Sequence, residues 1–256
     1  MDPYLAALAA TGGVVGEFVN PKYADAGRTA FKAPTRLECM MQDLPHALDP
    51  ALPVGFCVVN QVWAAYSPVK NALADAAAKA AAGAPTHSAA AAEADGYKAN
   101  RAALAAVGVA VPPSTTATYK GIPVDAGAIV AWSPAWALTV DDLAARLPSP
   151  ARVTLSPSSA LVVARATPAV TIRAVDVDGA LVVDAGDGVA LTVDGLTVRN
   201  AGWRVVELDD AKPAPEESRM RGFKLCRKGT LTLAYDVAGT YTEGGVREEL
   251  RELATA

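Results

Sequence analysis

Cysteine and histidine are scarce in this chain. Three cysteines (Cys39, Cys57, Cys226) and two histidines (His46, His87) stand among 256 residues. Their spacing matches neither a metal-ligand repeat nor a disulfide framework. Reduced thiols in a cytoplasmic protein are the simplest reading. Cys39 has no triad signature around it, so a buried filler role is expected. Basic excess is also lacking: the net charge is −4 and the pI about 5.3. That excludes an electrostatic footprint for nucleic acid. No apolar run is long enough for a membrane helix, so no membrane partner is expected. Met1-Asp2-Pro3 does not open a secretory signal. A glycine-rich phosphate cradle is missing too. Gly12-Gly13 follows a helix-like segment and lacks the later glycine and lysine of such loops.

What is present is a globular composition. Hydrophobic residues make up 52% and charged ones 20% of the chain, enough for one large domain or two smaller ones. Much of the hydrophobic share is alanine, which favours helix but adds little core.

The richest stretch runs from Pro34 to Asn71. Arg36, Glu38 and Gln42 alternate there with Leu37, Met40 and Met41. Thr35 is expected to open a helix with Leu37, Met40, Met41 and Leu44 on one face, ended by Pro45. Val54 to Val59 reads as a short buried strand, and Trp63 and Tyr66 flank the approach to Ser67-Pro68-Val69-Lys70-Asn71. A lysine after a stiff Ser-Pro-Val turn can present a fixed charge to a phosphate. The same spacing also suits a solvated lysine. Glu38 and Gln42 suit sugar hydroxyls, or simply the wet face of a helix. Arg28, Lys32 and Arg36 offer an anion-attracting rim, or scattered surface charge.

Elsewhere, Tyr4–Ala10 reads as a helix stopped by Gly12-Gly13, and Val14–Val19 as a strand. Leu73–Ala82 is alanine-rich, and Ser88 is a candidate N-cap for a helix from Ala89 to Val107. Pro148-Ser149-Pro150 marks a boundary. Beyond it, short β-branched strands recur at even spacing, with Val177-Asp178-Gly179 repeated as Val193-Asp194-Gly195. That pattern predicts a solenoid, with a β-sandwich second. Asn200 to Trp203 is expected to end the array. Asp178, Asp184, Asp187 and Asp194 fit turn positions better than a calcium loop. Arg219 to Phe223 is basic and expected to fold back. Val246 to Leu253 is expected to form a charged terminal helix.

Several blocks together resemble a known family. Gly16 to Tyr23, Phe31 to Asp43, Tyr66 to Asn71, Leu181 to Asp184, Asn200 to Trp203 and Met220 to Phe223 are similar to the C-terminal half of plant-type UDP-sugar pyrophosphorylase. The Arg-Leu-Glu-Cys-Met-Met-Gln-Asp block (36–43) is specific to that family. The Ser-Pro-Val-Lys-Asn block (67–71) is shared more loosely with UDP-glucose and UDP-N-acetylhexosamine pyrophosphorylases. The resemblance implies a Mg²⁺-dependent uridylyltransferase, in which a sugar 1-phosphate attacks the α-phosphorus of UTP, giving UDP-sugar and pyrophosphate. It implies Lys70 on the substrate phosphates, and Arg36, Glu38, Met40, Met41, Gln42 and Asn71 around the substrate. The implied fold is α/β: residues 1–147 the C-terminal portion of a Rossmann-like catalytic domain, 148–211 a small left-handed β-helix, 212–256 a charged tail. The family's glycine-rich loop and metal-binding aspartate lie in an N-terminal half with no counterpart here. Mg²⁺ would be held mainly by that half, a possible partner, and the chain alone is expected to be inactive. The competing readings are a non-catalytic β-solenoid interaction module with a vestigial pocket, and a solenoid acyltransferase, which the absence of regular hexapeptide rows disfavours.

Overall fold

The computed structural model describes residues 2–60 and 66–248. The chain divides into two compact units, Met1–Val58 and Val59–Ala256.

In the first unit, α1 (Asp2–Thr11) forms where the sequence predicts a helix. Gly12 and Gly13 then turn the chain with φ of 62° and 80°, a left-handed stop. β1 (Phe18–Val19) pairs antiparallel with β2 (Leu37–Glu38). The expected helix from Thr35 is therefore absent: Leu37 and Glu38 extend to complete a ladder, and only a 3-10 segment, Met41–Ala47, follows with Pro45 inside it. An amphipathic stripe makes a helix only when there is something to pack it on. Leu37 and Met41 are instead exposed. The run 54–59, expected as a buried strand, is also exposed, with Phe56 90% accessible and no strand partner among the described residues. Cys39 is exposed rather than filler. Among the described residues of this unit only Ala7 is buried, so the unit has no apolar core of its own.

The second unit holds the core. α2 (Leu73–Ala81) and α3 (Ala89–Ala106) come first. Ser88 caps α3 as expected, its Oγ accepting from the Ala91 amide at 3.2 Å. β3 (Thr115–Tyr119) and β4 (Ile122–Ala126) form an antiparallel hairpin. Then come β5 (Ile129–Trp132), α4 (Val140–Arg146) with a Thr139–Asp142 capping box, β6 (Val153–Leu155), β7 (Ala160–Arg165), β8 (Val170–Ile172), β9 (Val175–Asp178), β10 (Ala180–Ala185) and β11 (Val189–Arg199). β12 (Trp203–Glu207), α5 (Glu216–Arg221) and β13 (Phe223–Arg227) form an excursion, and β14 (Leu231–Tyr235) and β15 (Gly239–Glu248) close the described chain.

Two parallel sheets carry the fold, in the orders β14-β10-β7-β5 and β15-β11-β9-β6. Register lines up apolar rows. Val130 pairs with Leu161, Leu161 with Leu181, and Leu181 with Leu231. Val153, Val175 and Leu196 form a matching row in the other sheet. These side chains merge in one buried cluster. Burial alternates along β8, β9 and β11, so one face of these strands carries the core and the other is only partly covered. On the outer face of β5, β7 and β10, Trp203 packs on Ile129, Ala160 and Ala180.

Two expectations need correction here. Asn200 to Trp203 does not end the strand array, because β14 and β15 rejoin both sheets after the excursion. The turn there is a clip: Asn200 Oδ1 accepts from the Ala180 and Gly202 amides, and its Nδ2 donates to the Ala180 carbonyl. Gly179, at φ 138°, leaves no room for a Cβ, which would sit 2.3 Å from Asn200 Oδ1. Second, Val246 to Glu248 finish β15 rather than open a helix. The remainder of that expected helix, and Trp63, lie outside the described residues.

A core row implies a stability test. Leu181 is fully buried at the middle of its row. Leu181→Ala is expected to cost about 2–5 kcal/mol, from lost transfer energy and the cavity left behind, read from the urea unfolding midpoint.

Candidate functional site

The expected site residues fall in both units, and each group has its own local setting. In the first unit, a tight loop precedes the candidates. Asp25 accepts from the Ala30 amide at 2.9 Å, and from the Thr29 amide at 3.1 Å and hydroxyl at 2.7 Å. Tyr23 stacks on Phe31, and Lys32 N donates to Lys22 O at 2.8 Å. This pins the strand-like pair that carries Lys22 and leads into Arg36. Arg36 and Glu38 then line a cleft of about 280 Å³ together with Asn20, Lys22 and Thr35. Arg28 lies near the Tyr23 ring instead of on that cleft, and Lys32 does not line it. Met40 is half-buried, while Met41 and Gln42 are exposed on the 3-10 segment. They do not line the cleft, since the extended backbone at 37–38 breaks the helical face that would have grouped them.

In the second unit, the Ser67–Asn71 loop is held at both ends. Ser67 Oγ donates to Asp95 on α3 at 2.7 Å. Asn71 Nδ2 donates to the Thr86 carbonyl at 2.8 Å. The amides of Lys70 and Asn71 both donate to the His87 carbonyl, at 2.8 and 3.1 Å. His87 itself sits at φ 44°, an uncommon conformation for a residue with a Cβ. These bonds fix the backbone of Lys70 immediately before α2. Its side chain is exposed and makes no ion pair among the described residues. Lys70 and Asn71 line a cleft of about 570 Å³ with Leu73, Ala89, Glu216, Arg219 and Met220.

Arg219 reaches this cleft because the excursion folds back, as its basic sequence suggests. Arg221 pairs with Glu93 of α3 at 2.7 Å. Phe223 is buried beside Ala76, Ala90, Ile122 and Val124. Gly222, at φ 76°, makes the left-handed turn between helix and strand. A pairing between residues 70 and 219 has no local sequence signal, so its position in the cleft was not legible. Nor were the carbonyls of Thr86 and His87, which any residue could supply.

A loop lysine and a helix arginine on one cleft can hold an anion. A metal is a different matter. Among the described residues, no three His, Cys, Asp or Glu side chains gather to hold an ion. The aspartates of the parallel sheets are dispersed: Asp184 pairs with Arg165 at 2.6 Å and Asp194 with Arg152 at 3.2 Å. Nor is any described helix long and apolar enough to cross a membrane.

Fold and cleft together define an α/β protein, built largely on parallel sheets, with a cation-bearing cleft before a helix. Comparison with known proteins is more specific. No family model matches the chain. Over 236 residues it is 41% identical to the UDP-sugar pyrophosphorylase of Oryza sativa subsp. indica and 40% identical to that of subsp. japonica, covering 92% of this chain and 37% of each relative. The UDP-sugar pyrophosphorylase of Arabidopsis thaliana is 39% identical over 225 residues, 88% of this chain and 36% of that protein. The likeness implied by the motif blocks is thus found along nearly the whole sequence. The chain spans a little over a third of the length of these relatives.

The Asp25 loop titrates in a defined window. Hydrogen bonds from the Ala30 amide, then the Thr29 hydroxyl and amide, lower the Asp25 pKa from 3.8 to about 2. A lowered carboxyl pKa favours the folded loop above the unfolded pKa, and that contribution is lost as pH falls through the folded value. The Thr29 and Ala30 amide NMR signals are therefore expected to hold steady from neutral pH down to about 4 and to move with a midpoint near 2. A midpoint at the ordinary carboxyl value would show these bonds are not formed.

Proposed function

We propose that this chain is the sugar- and phosphate-binding part of a uridylyltransferase of the UDP-sugar pyrophosphorylase type. The reaction it would serve joins a sugar 1-phosphate to UTP, releasing pyrophosphate and UDP-sugar. The observation that carries this reading is the Lys70 cleft: a backbone-clamped lysine beside Asn71, with Arg219 across from it on α5. Phosphoryl-type transfer depends mainly on positioning and on stabilising charge at the reacting phosphates. Lys70 would supply that charge, and Arg219 would add a second cation. Arg36 and Glu38, in their own cleft, would meet sugar or phosphate oxygens, with Met40, Met41 and Gln42 near by in sequence. The parallel sheets would be the coils of a small left-handed β-helix, a view supported by the twenty-residue step from Leu161 to Leu181. The preceding part would be the end of a nucleotide-binding catalytic domain.

Mg²⁺, which the family resemblance implies, would be held by residues outside this chain, given the dispersal of acidic groups described above. The near-absence of buried residues in the first unit supports the same incompleteness. We therefore propose that the 256 residues do not turn over alone. With UTP, glucose 1-phosphate and Mg²⁺, the purified chain is expected to release no pyrophosphate. Release at a rate proportional to chain concentration would overturn this.

A second reading, a non-catalytic interaction module, has one specific observation in its favour: the exposed apolar side chains of Val54, Phe56, Val58 and Val59. Ligand binding separates the two. By calorimetry at low salt, Lys70→Ala is expected to weaken pyrophosphate binding about tenfold, the worth of a charge-assisted contact, and less at higher ionic strength because the lysine is exposed. Lys70→Arg should retain part of the affinity. If wild type and Lys70→Ala bind pyrophosphate equally, or neither binds, the module reading is the better one.

A further inference from the structure

Three non-glycine residues among those described have a positive φ: Arg28 at 56°, His87 at 44° and Lys120 at 50°. Two of them sit in turns that account for it. Lys120 and Gly121 join β3 to β4 as a two-residue hairpin, where positive φ is the favoured geometry. Arg28 lies inside the short loop that Asp25 closes on Thr29 and Ala30. His87 belongs to neither kind of turn. It stands between Thr86 and the Ser88 cap of α3, so its conformation needs another reason.

That reason lies in two carbonyls. An extended chain points successive carbonyls to opposite sides. Here both face the Lys70 loop. Thr86 O accepts from Asn71 Nδ2 at 2.8 Å, and His87 O accepts from the Lys70 and Asn71 amides at 2.8 and 3.1 Å. A curled backbone at residue 87 turns the two to one side. Ser88 cannot share the curl, because it is extended, with φ −106° and ψ 162°, so that its Oγ meets the Ala91 amide. The change of direction therefore falls on one residue. Three hydrogen bonds on one side and a helix cap on the other hold His87 where a Cβ is disfavoured. Such strain persists only where its surroundings over-determine it, and it gathers at ligand clamps. His87 does not itself line the Lys70 cleft. It acts on that cleft only through the backbone it fixes, which carries Lys70 and Asn71 into the start of α2.

We propose that His87 is a positioning residue: its left-handed backbone, not its imidazole, sets the place of Lys70. The proposal rests on the Lys70 cleft being the phosphate site, and two readouts keep the two ideas apart. Amide hydrogen exchange of the 256-residue chain reads the clamp without ligand, and calorimetry with pyrophosphate at low salt reads binding. Glycine and asparagine tolerate positive φ, whereas β-branched residues tolerate it least. His87→Gly and His87→Asn should keep the Lys70 and Asn71 amides protected and bind pyrophosphate within about threefold of wild type. His87→Val should speed exchange at both amides at least about tenfold and weaken pyrophosphate binding about tenfold, with the Ala91 amide still held by its cap. If His87→Val does not fold, His87→Ala is read in its place, with the same direction and an effect of about threefold. The proposal is overturned if the folded variant binds and exchanges as wild type does. It is also overturned if His87→Gly and His87→Asn lose binding as well, which would put the imidazole in charge. Loss of protection at Ala91 together with Lys70 and Asn71 would overturn it too, by tying the turn to the start of α3. Should wild type bind no pyrophosphate, the phosphate reading of the cleft falls, and the exchange pattern still decides the clamp.

Discussion

In-register parallel pairing is the constraint everything else in the second unit obeys. A one-residue slip would turn each inward row outward. Leu161, Leu181 and Leu231 must face the same way, although the chain takes twenty residues between the first two and fifty between the last two. The longer interval holds β11 of the other sheet and then β12, α5 and β13, which leave the sheets at the Asn200 clip and come back without disturbing the rows. Register is thus preserved across an excursion, and the excursion is what brings Arg219 to Lys70 and Trp203 to the outer face of β5, β7 and β10.

Where sequence reading succeeded, the signal was local. Ser88 reads as a cap because a hydroxyl one residue before an apolar run can take an orphan amide. The strands 153–198 are legible because β-branched residues alternate between glycine and aspartate turns. The repeat Val-Asp-Gly marks breaks in the strand path that favour glycine: Gly179 lies between β9 and β10 and Gly195 at a register shift within β11, both with positive φ. Where reading failed, a tertiary partner decided. Leu37 and Glu38 carry a helix-like spacing, yet two residues of β1 claim their backbone. The run 54–59 has strand composition but no partner among the described residues, so composition alone could not give it burial.

The candidate site shows the same division. Lys70 stood out from a proline-stiffened turn, and its loop is indeed fixed, though by Thr86, His87 and Asp95 rather than by the proline alone. The turn chemistry was visible in sequence and the three clamps were not, because main-chain carbonyls leave no mark on residue identity. Arg221 behaves likewise. Its basic stretch was noticeable, but its role as the cation that ties α5 to Glu93 follows only from the fold.

The Asn200 clip also has an evolutionary consequence. Because the chain exits and re-enters between adjacent rows, the stretch 209–217 of the excursion, which buries no side chain, can lengthen or shorten while Trp203 and Phe223 keep their packing. Change in that one segment then leaves foldability in the rest unaltered. The site of that freedom is guarded by a glycine, at 179, whose replacement the crowding of Asn200 forbids. Innovation and invariance sit side by side at a single corner of the backbone.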